Sequence, residues 1–317
     1  MSKILVTGAG GFIGSHLTEY LVHLGHEVVA FVRYTSKGDA GWLEGGDYEI
    51  VQGDVRSQND VFRAAKGCEY IVHLAAQIAI PWSYLSPQEF VSTNVTGTLN
   101  VLQATKEFDV KRMIAISTSE IYGTAQYKPM DEKHPLVSQS PYSASKIAAE
   151  KMAQAFHRSF GTPVVIIRPF NAYGPRQSNR AVIPSIILQA LSGKTDIELG
   201  SLTARRDFNY VTDLVDNLVR VLFSEMGTGQ EFNLCSGVSH SLSEIVERVG
   251  VLTGQNLIPV LDNKRARPAN SEVNELLGDG DRANELFDLP ERTDIMAGLK
   301  QTIRYFEDHK KEEKFTL

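Results

Sequence analysis

The chain has 317 residues, of which 42% are hydrophobic and 22% charged. That composition suits a soluble globular protein with core enough for about two domains. The net charge of −6 gives no global support for binding nucleic acid or an anionic membrane, and no apolar run reaches membrane-spanning length.

The N-terminus runs straight into Ile4-Leu5-Val6, with no charged stretch ahead of a long apolar one. No signal peptide is therefore expected, and the cytoplasm is the expected compartment. Ile4–Thr7 reads as a strand and Phe12–Leu24 as a helix. Val28–Val32, Glu49–Val51, Tyr70–Leu74, Arg112–Ser117 and Val164–Arg168 follow as strands at βα spacing. Continuous apolar strands of this kind predict a parallel sheet covered on both faces. The alternation predicts an α/β fold, a Rossmann-type doubly wound sheet. After Arg168 the pattern loosens, punctuated by Pro169, Pro175, Pro184, Pro259 and Pro268. Helical stretches Ile183–Ser192, Val211–Ser224 and Ser241–Thr253 alternate there with short strands. This reads as a smaller C-terminal α/β lobe. The charge run Asp308-His-Lys-Lys-Glu-Glu-Lys reads as a solvated helix end. Cys68 and Cys235 lie in separate segments and match no metal-ligand spacing. Two reduced packing thiols and no metal are expected.

Between the first strand and first helix stands Thr7-Gly-Ala-Gly-Gly-Phe-Ile-Gly14. Gly8, Gly11 and Gly14 let a tight turn bring backbone close to a pyrophosphate, with Phe12 and Ile13 opening the helix behind it. The helix N-terminus then presents free N–H groups and its positive dipole end. The expected cofactor is a nicotinamide dinucleotide. An acidic residue at the end of the second strand would select NAD. This chain has Phe31-Val-Arg33-Tyr-Thr-Ser36 instead. Arg33, with Ser36, suits a 2′-phosphate, or is an exposed arginine after a strand. The cofactor is left as NAD(P). Asp54 and Val55 are placed to meet the adenine, Asp54 being equally a turn residue. Leu74, Ala75 and Ala76 leave room for a ribose.

Ser117, Thr118, Ser119 and Glu120 close the fifth strand, on the carboxyl side of the sheet where ligands bind. Tyr142 and Lys146 lie one helical turn apart and share a face. A lysine ammonium favours the phenolate, so Tyr142 suits a general base towards a sugar hydroxyl. Thr118 is placed to bond that hydroxyl. Glu120 suits a base for a carbon acid next to the ketone so formed, or is a capping surface carboxylate.

These motifs resemble the extended short-chain dehydrogenase/reductase family that acts on nucleotide sugars. Arg168-Pro-Phe-Asn171-Ala-Tyr-Gly-Pro175, Arg206-Asp-Phe-Asn-Tyr-Val-Thr-Asp213 and Arg265-Ala-Arg-Pro268 add to the likeness. It implies that residues 1–170 form an NAD(P)-binding Rossmann domain, Ser117 among its cofactor contacts. Residues 171–317 would form a nucleotide-sugar-binding lobe, with some chain crossing back. Asn171, Arg206 and Arg267 match the family's phosphate contacts. A closer likeness is to the 4,6-dehydratases of the legionaminic acid pathway. It rests on Ile78-Ala-Ile-Pro-Trp-Ser-Tyr84, Thr118-Ser-Glu-Ile-Tyr-Gly-Thr-Ala-Gln-Tyr127, Gln139-Ser-Pro-Tyr-Ser-Ala-Ser-Lys146 and Ala181-Val-Ile-Pro184. Pro81 and Val182 fall among the substrate contacts it implies. Those enzymes act on GDP- or UDP-linked N-acetylglucosamine. Ser119 departs from the Thr-Asp-Glu of dTDP-glucose dehydratases and is assigned to orienting the leaving hydroxyl. Segments Glu89–Glu107 and Tyr142–Phe160 would form a homodimer face. A decarboxylase or C4 epimerase on the same fold, and a catalytically silent nucleotide-sensing protein, are the other readings.

Overall fold

The computed structural model describes residues 1–36, 38–265 and 268–309. In chain order its strands are β1 (Lys3–Thr7), β2 (Glu27–Arg33), β3 (Glu49–Gly53), β4 (Tyr70–His73), β5 (Arg112–Ile116) and β6 (Val164–Pro169). Then come β7 (Asn171–Tyr173), β8 (Asp196–Leu199), β9 (Arg205–Tyr210), β10 (Glu231–Leu234), β11 (Ser239–Ser241) and β12 (Ile258–Leu261). The helices are α1 (Phe12–His23), α2 (Gln58–Ala65), α3 (Ile80–Leu85), α4 (Pro87–Phe90) and α5 (Gly97–Glu107). They continue with α6 (Pro141–Phe160), α7 (Val182–Leu191), α8 (Val211–Phe223), α9 (Leu242–Thr253), α10 (Asp281–Phe287) and α11 (Ile295–His309). A π-helical turn, Val91–Thr96, joins α4 to α5. The expected elements end within two residues of these.

Seven strands form one parallel sheet in the order β10-β6-β5-β4-β1-β2-β3. This is the doubly wound α/β arrangement, with its strand order reversing between β1 and β4. The cause is visible residue by residue. Successive side chains of a strand point to opposite faces. Ile4 and Val6 of β1 enter the core under α1 and α8, while Leu5 enters the one under α2, α5 and α6. In β6, Val165 and Ile167 face the first core and Val164 and Ile166 the second. Each such side chain contributes roughly 1.5–3 kcal/mol when fully buried, so both faces must be covered.

Beyond β6 a third core gathers Ile183, Ile186, Ile187, Ile245, Val249, Leu299 and Phe306 from α7, α9 and α11. A three-stranded sheet, β11-β9-β7, and a two-stranded one, β12-β8, accompany it. The chain returns to the main sheet between them: Glu231–Leu234 pairs in parallel with Ile166–Pro169.

The glycine turn sits where β1 meets α1. Gly8 has φ +71°, and a Cβ there would lie 2.8 Å from Ala75 N. A Cβ on Gly14 would lie 2.2 Å from Gly8 O and 2.9 Å from Ala9 Cα. Both contacts are with backbone, so nothing can swing aside. The loop after β2 lies against the same turn. Trp42 N donates to Gly10 O at 3.0 Å, and Gly10 meets Gly41 backbone to backbone.

Gly14→Ala is therefore expected to displace the turn, lowering stability by about 1–3 kcal/mol as overpacking does, and to strip the dinucleotide from purified protein. Gly11→Ala, whose Cβ would stand 3.2 Å from Gly8 O, is expected to do much less. Thermal unfolding and the nucleotide content of both variants check this; equal loss in both would refute it.

Candidate active site

Helix α6 is fixed at its start by a capping box. Ser143 N donates to Ser140 Oγ at 3.1 Å, and Ser140 N donates to Ser143 Oγ at 3.1 Å. Pro141 occupies the first helical position, where a missing N–H costs nothing. Tyr142 thus stands in the first turn and Lys146 one turn on. Both are buried. Lys146 Nζ donates to Ile116 O, the last carbonyl of β5, at 2.6 Å.

The chain leaving β5 turns at once. Ser117 N donates to Ile167 O at 2.7 Å. Thr118 Oγ1 then accepts from Glu120 N at 3.3 Å and opens a 3₁₀ turn, Ser119–Tyr122. Ser117, Thr118, Ser119 and Glu120 are all buried. Thr118 hydrogen-bonds Tyr142, and the Glu120 charge acts on the same phenol. A hydroxyl, a carboxylate, a phenol and an amine therefore meet at the carboxyl end of β5.

Burial pushes the Tyr142 phenol up to about 12, with the Thr118 bond pulling it down and Glu120 pushing it further up. Burial pulls Lys146 down to about 8, against the opposing charge of Glu150. His73, at the end of β4, is pushed down to about 3, first by burial and then by the Lys146 charge. Its neutral ring bonds Thr7 Oγ1 at 2.8 Å and Thr98 Oγ1 at 3.1 Å. Desolvation is the largest effect on the phenol, so it needs a positive charge close by to ionise near neutrality.

A cleft of about 410 Å³ opens at the carboxyl ends of β1 to β4. Gly8, Gly11, Phe12, Ile13 and Gly14 line it, as do Arg33, Asp54, Val55, Leu74, Ala75 and Ala76. The backbone cradle of the glycine turn and the switch point of the sheet fit a dinucleotide pyrophosphate. Ser36 is exposed and is not part of this lining; the cleft takes Thr35 and Asp39 instead. The loop turns after Arg33 so that Thr35 Oγ1 donates to Asp39 Oδ2 at 3.4 Å. A carboxylate thus enters the adenosine end of the cleft from six residues beyond the strand. No periodic pattern marks Asp39 in the sequence. Asp54 accepts from Arg56 Nε at 2.9 Å, which holds its carboxyl below the usual range.

The other expected residues are placed as follows. Asn171 opens β7, and its Oδ1 is buried without a hydrogen-bond partner. Arg206 is buried in β9, 3.1 Å from Glu272, and also donates to Arg205 O at 2.9 Å. Val182 opens α7, and Pro81 is exposed in the first turn of α3. Arg267 lies outside the described residues. Glu272 and the Glu150–Arg168 pair are absent from the expectations, because pairs so far apart in sequence leave no local signal.

Cys68 and Cys235 are both buried and free, and burial pushes the Cys68 thiol up to about 11. Among the described residues no group of three His, Cys, Asp or Glu is placed to hold a metal, and no helix is long and apolar enough to cross a membrane.

Known proteins share this arrangement. The chain is 34% identical over 251 residues to the low-salt glycan biosynthesis protein Agl12 of Haloferax volcanii, covering 78% of this chain and 81% of that one. It is 30% identical over 315 residues to UDP-glucuronic acid decarboxylase 1 of Xenopus tropicalis, covering 96% and 72%. The crystal structure of DesIV, a dTDP-glucose 4,6-dehydratase from Streptomyces venezuelae with NAD bound, superposes with a TM-score of 0.88 at 27% identity, covering 99% and 100%. The family model that matches residues 4–235 spans both the glycine turn and the Tyr142/Lys146 helix. The chain is thus an enzyme of the NAD dependent epimerase/dehydratase family, whose members include dehydratases, epimerases and decarboxylases of nucleotide sugars.

Proposed function

We propose that this protein is a nucleotide-sugar 4,6-dehydratase that makes a 4-keto-6-deoxy sugar from GDP- or UDP-linked N-acetylglucosamine. The observation that carries it is Glu120, buried beside Tyr142 in the turn that Thr118 caps. A C4 epimerase or a simple dehydrogenase has no use for a C5 base there. The likeness of Thr118–Tyr127 and Gln139–Lys146 to legionaminic acid enzymes supports the hexose and a role in bacterial surface glycans. Residues 171–317 supply the nucleotide-sugar side, with Asn171 and Arg206 towards the phosphates. For Arg206 to bind there, Glu272 must give way. The expected compartment is the cytoplasm.

A dinucleotide held on the glycine turn of Gly8, Gly11 and Gly14 would supply the hydride acceptor for C4 and the hydride donor for C6. The chain's own residues do the rest. Tyr142 takes the C4 hydroxyl proton, Thr118 holding that hydroxyl. The ketone makes the C5 hydrogen acidic, and Glu120 removes it. The C6 hydroxyl leaves as water, oriented by Ser119, and takes its proton from Glu120. C5 takes a proton from solvent through Glu120 as hydride reaches C6, and Tyr142 returns the C4 hydroxyl proton to solvent. Because the redox cycle closes, no free cofactor is consumed.

A second reading, UDP-glucuronate decarboxylase, is favoured by the likeness over nearly the whole chain to the Xenopus tropicalis enzyme. It uses the same C4 oxidation and then loses CO₂.

The cofactor is proposed to be NAD. Asp39 lines the cleft with Arg33, and its carboxylate disfavours a 2′-phosphate while accepting from a free ribose hydroxyl. The assembly is proposed to be a homodimer through α5 and α6, the outer face of α6 carrying the small exposed Ala144, Ala148 and Ala155.

Protein without added cofactor is expected to convert UDP- or GDP-N-acetylglucosamine to a product lighter by one water, by mass spectrometry. Loss of CO₂ from UDP-glucuronate with no dehydration of any hexose would establish the second reading. Tyr142→Phe should abolish every step. Glu120→Gln should slow dehydration by about 10²–10⁴, hold reduced cofactor visible by absorbance, and admit no solvent deuterium at C5. Denatured protein should release NAD; release of NADP alone would overturn the Asp39 argument and give Arg33 the 2′-phosphate. Sedimentation should give twice the 35.1 kDa chain mass, and Ala148→Glu should yield monomer. A wild-type monomer at micromolar concentration would rule out the dimer.

A further inference from the structure

A small space of about 10 Å³ lies between β5, β6, α5 and α6, and Ser117, Thr98, Lys146 and Glu150 are among the residues lining it. That is about the least that holds one water. Ser117 Oγ is buried and has no hydrogen-bond partner. Lys146 carries three N–H donors, one of which goes to Ile116 O. Glu150 stands four residues after Lys146, hence on the same helical face. Its carboxylate is fixed by Arg168, whose Nε donates to Oε1 at 3.0 Å and Nη2 to Oε2 at 2.8 Å. Each carboxylate oxygen keeps a lone pair. Ser117, Thr98, Lys146 and Glu150 thus border one water-sized space that Ala115, Ile116, Ala149 and Ile166 complete.

We propose that Glu150 is a positioning residue for Lys146, acting directly and through one water seated between Glu150, Ser117 and Lys146. This rests on the reading of Lys146 and Tyr142 as the pair that oxidises C4.

The charged and titratable groups around Lys146 come from four elements. Tyr142 and Glu150 share its helix, His73 ends β4, Arg168 is in β6, and Glu120 and Tyr122 stand in the turn after β5. His73 is neutral, because burial and Lys146 both push its proton off. Glu120 acts on Tyr142, and Glu150 is the anion acting on Lys146. Without Glu150, burial strips the proton from Lys146 at lower pH. The phenolate of Tyr142 then loses its cation, and Tyr142 ionises at higher pH.

The test needs no sugar. The near-ultraviolet phenolate absorbance of NAD-loaded protein is titrated, and the Tyr142→Phe titration is subtracted to isolate Tyr142. Glu150→Gln is expected to raise the Tyr142 midpoint by about one pH unit, while Glu150→Asp, which keeps the charge, leaves it in place. Because Glu150→Gln leaves Arg168 buried alone, the pair variant Glu150→Gln/Arg168→Gln is titrated too and should shift equally. Ser117→Ala should shift the midpoint the same way by a smaller step; no shift there removes the water from the proposal. An unmoved midpoint in Glu150→Gln and in the pair variant overturns the proposal and leaves Glu150 a structural partner of Arg168. If the wild type shows no Tyr142 step below an ordinary tyrosine, the Tyr142/Lys146 reading itself has failed.

Discussion

Arg168 is almost wholly removed from water, and the active site is assembled around its charge. Burial works against the guanidinium, but Glu150 and Tyr122 more than offset it, so it stays charged. It grips Glu150 of α6 with two bonds, donates to Tyr122 Oη at 3.0 Å, and donates to Glu132 O at 3.1 Å. Tyr122 passes the connection to Asn233 of β10 at 2.6 Å, and Asn233 N donates to Glu132 Oε1 at 2.8 Å. One side chain thus ties β6, α6, the turn after β5 and the returning edge strand. A buried pair of this kind gives little net stability, since desolvation consumes most of the attraction. Its geometry is demanding, however, and breaking it is costly. What it supplies here is orientation: α6 can lie on the sheet in only one rotation that satisfies both oxygens of Glu150.

That rotation decides the chemistry. With Glu150 turned inward, Lys146 is turned inward one turn earlier and Tyr142 one turn before that. The capping box at Ser140 then fixes where along its axis the helix starts. Thr118 and Glu120 arrive from the other side on a turn only a few residues long, so their reach is short and their position narrow. Two independent constraints, one on each element, bring four functional groups into one place.

Much of this was legible in the sequence. Ile4-Leu5-Val6 reads as a strand buried on both faces, and the structure sends those residues alternately into two cores. The glycine turn was legible because only glycine tolerates such backbone contacts. Tyr142 and Lys146 were legible because helical spacing is local. Asp39 was not, because a loop without a period gives no hint of which side chain turns inward. Glu150 was not, because its partner sits 18 residues away across a strand–helix contact. The depth at which Tyr142 lies was not legible for a related reason. Charge is visible in a sequence, while the depth of burial that outweighs it is a property of the packed fold.

The loop after β2 leads further. Gly10 and Gly41 touch backbone to backbone, and Trp42 carries the contact onward to Tyr305 of α11, with ring centroids 6.5 Å apart. A ligand seated on the glycine turn therefore shares a boundary with the last described helix. Binding to the folded form alone adds about 2.7 kcal/mol at a hundredfold excess over Kd. Trp42 is one route by which that gain reaches α11. The dinucleotide is then as much a part of the architecture as any strand. A chain loaded with dinucleotide is therefore expected to resist proteolysis better than an empty one.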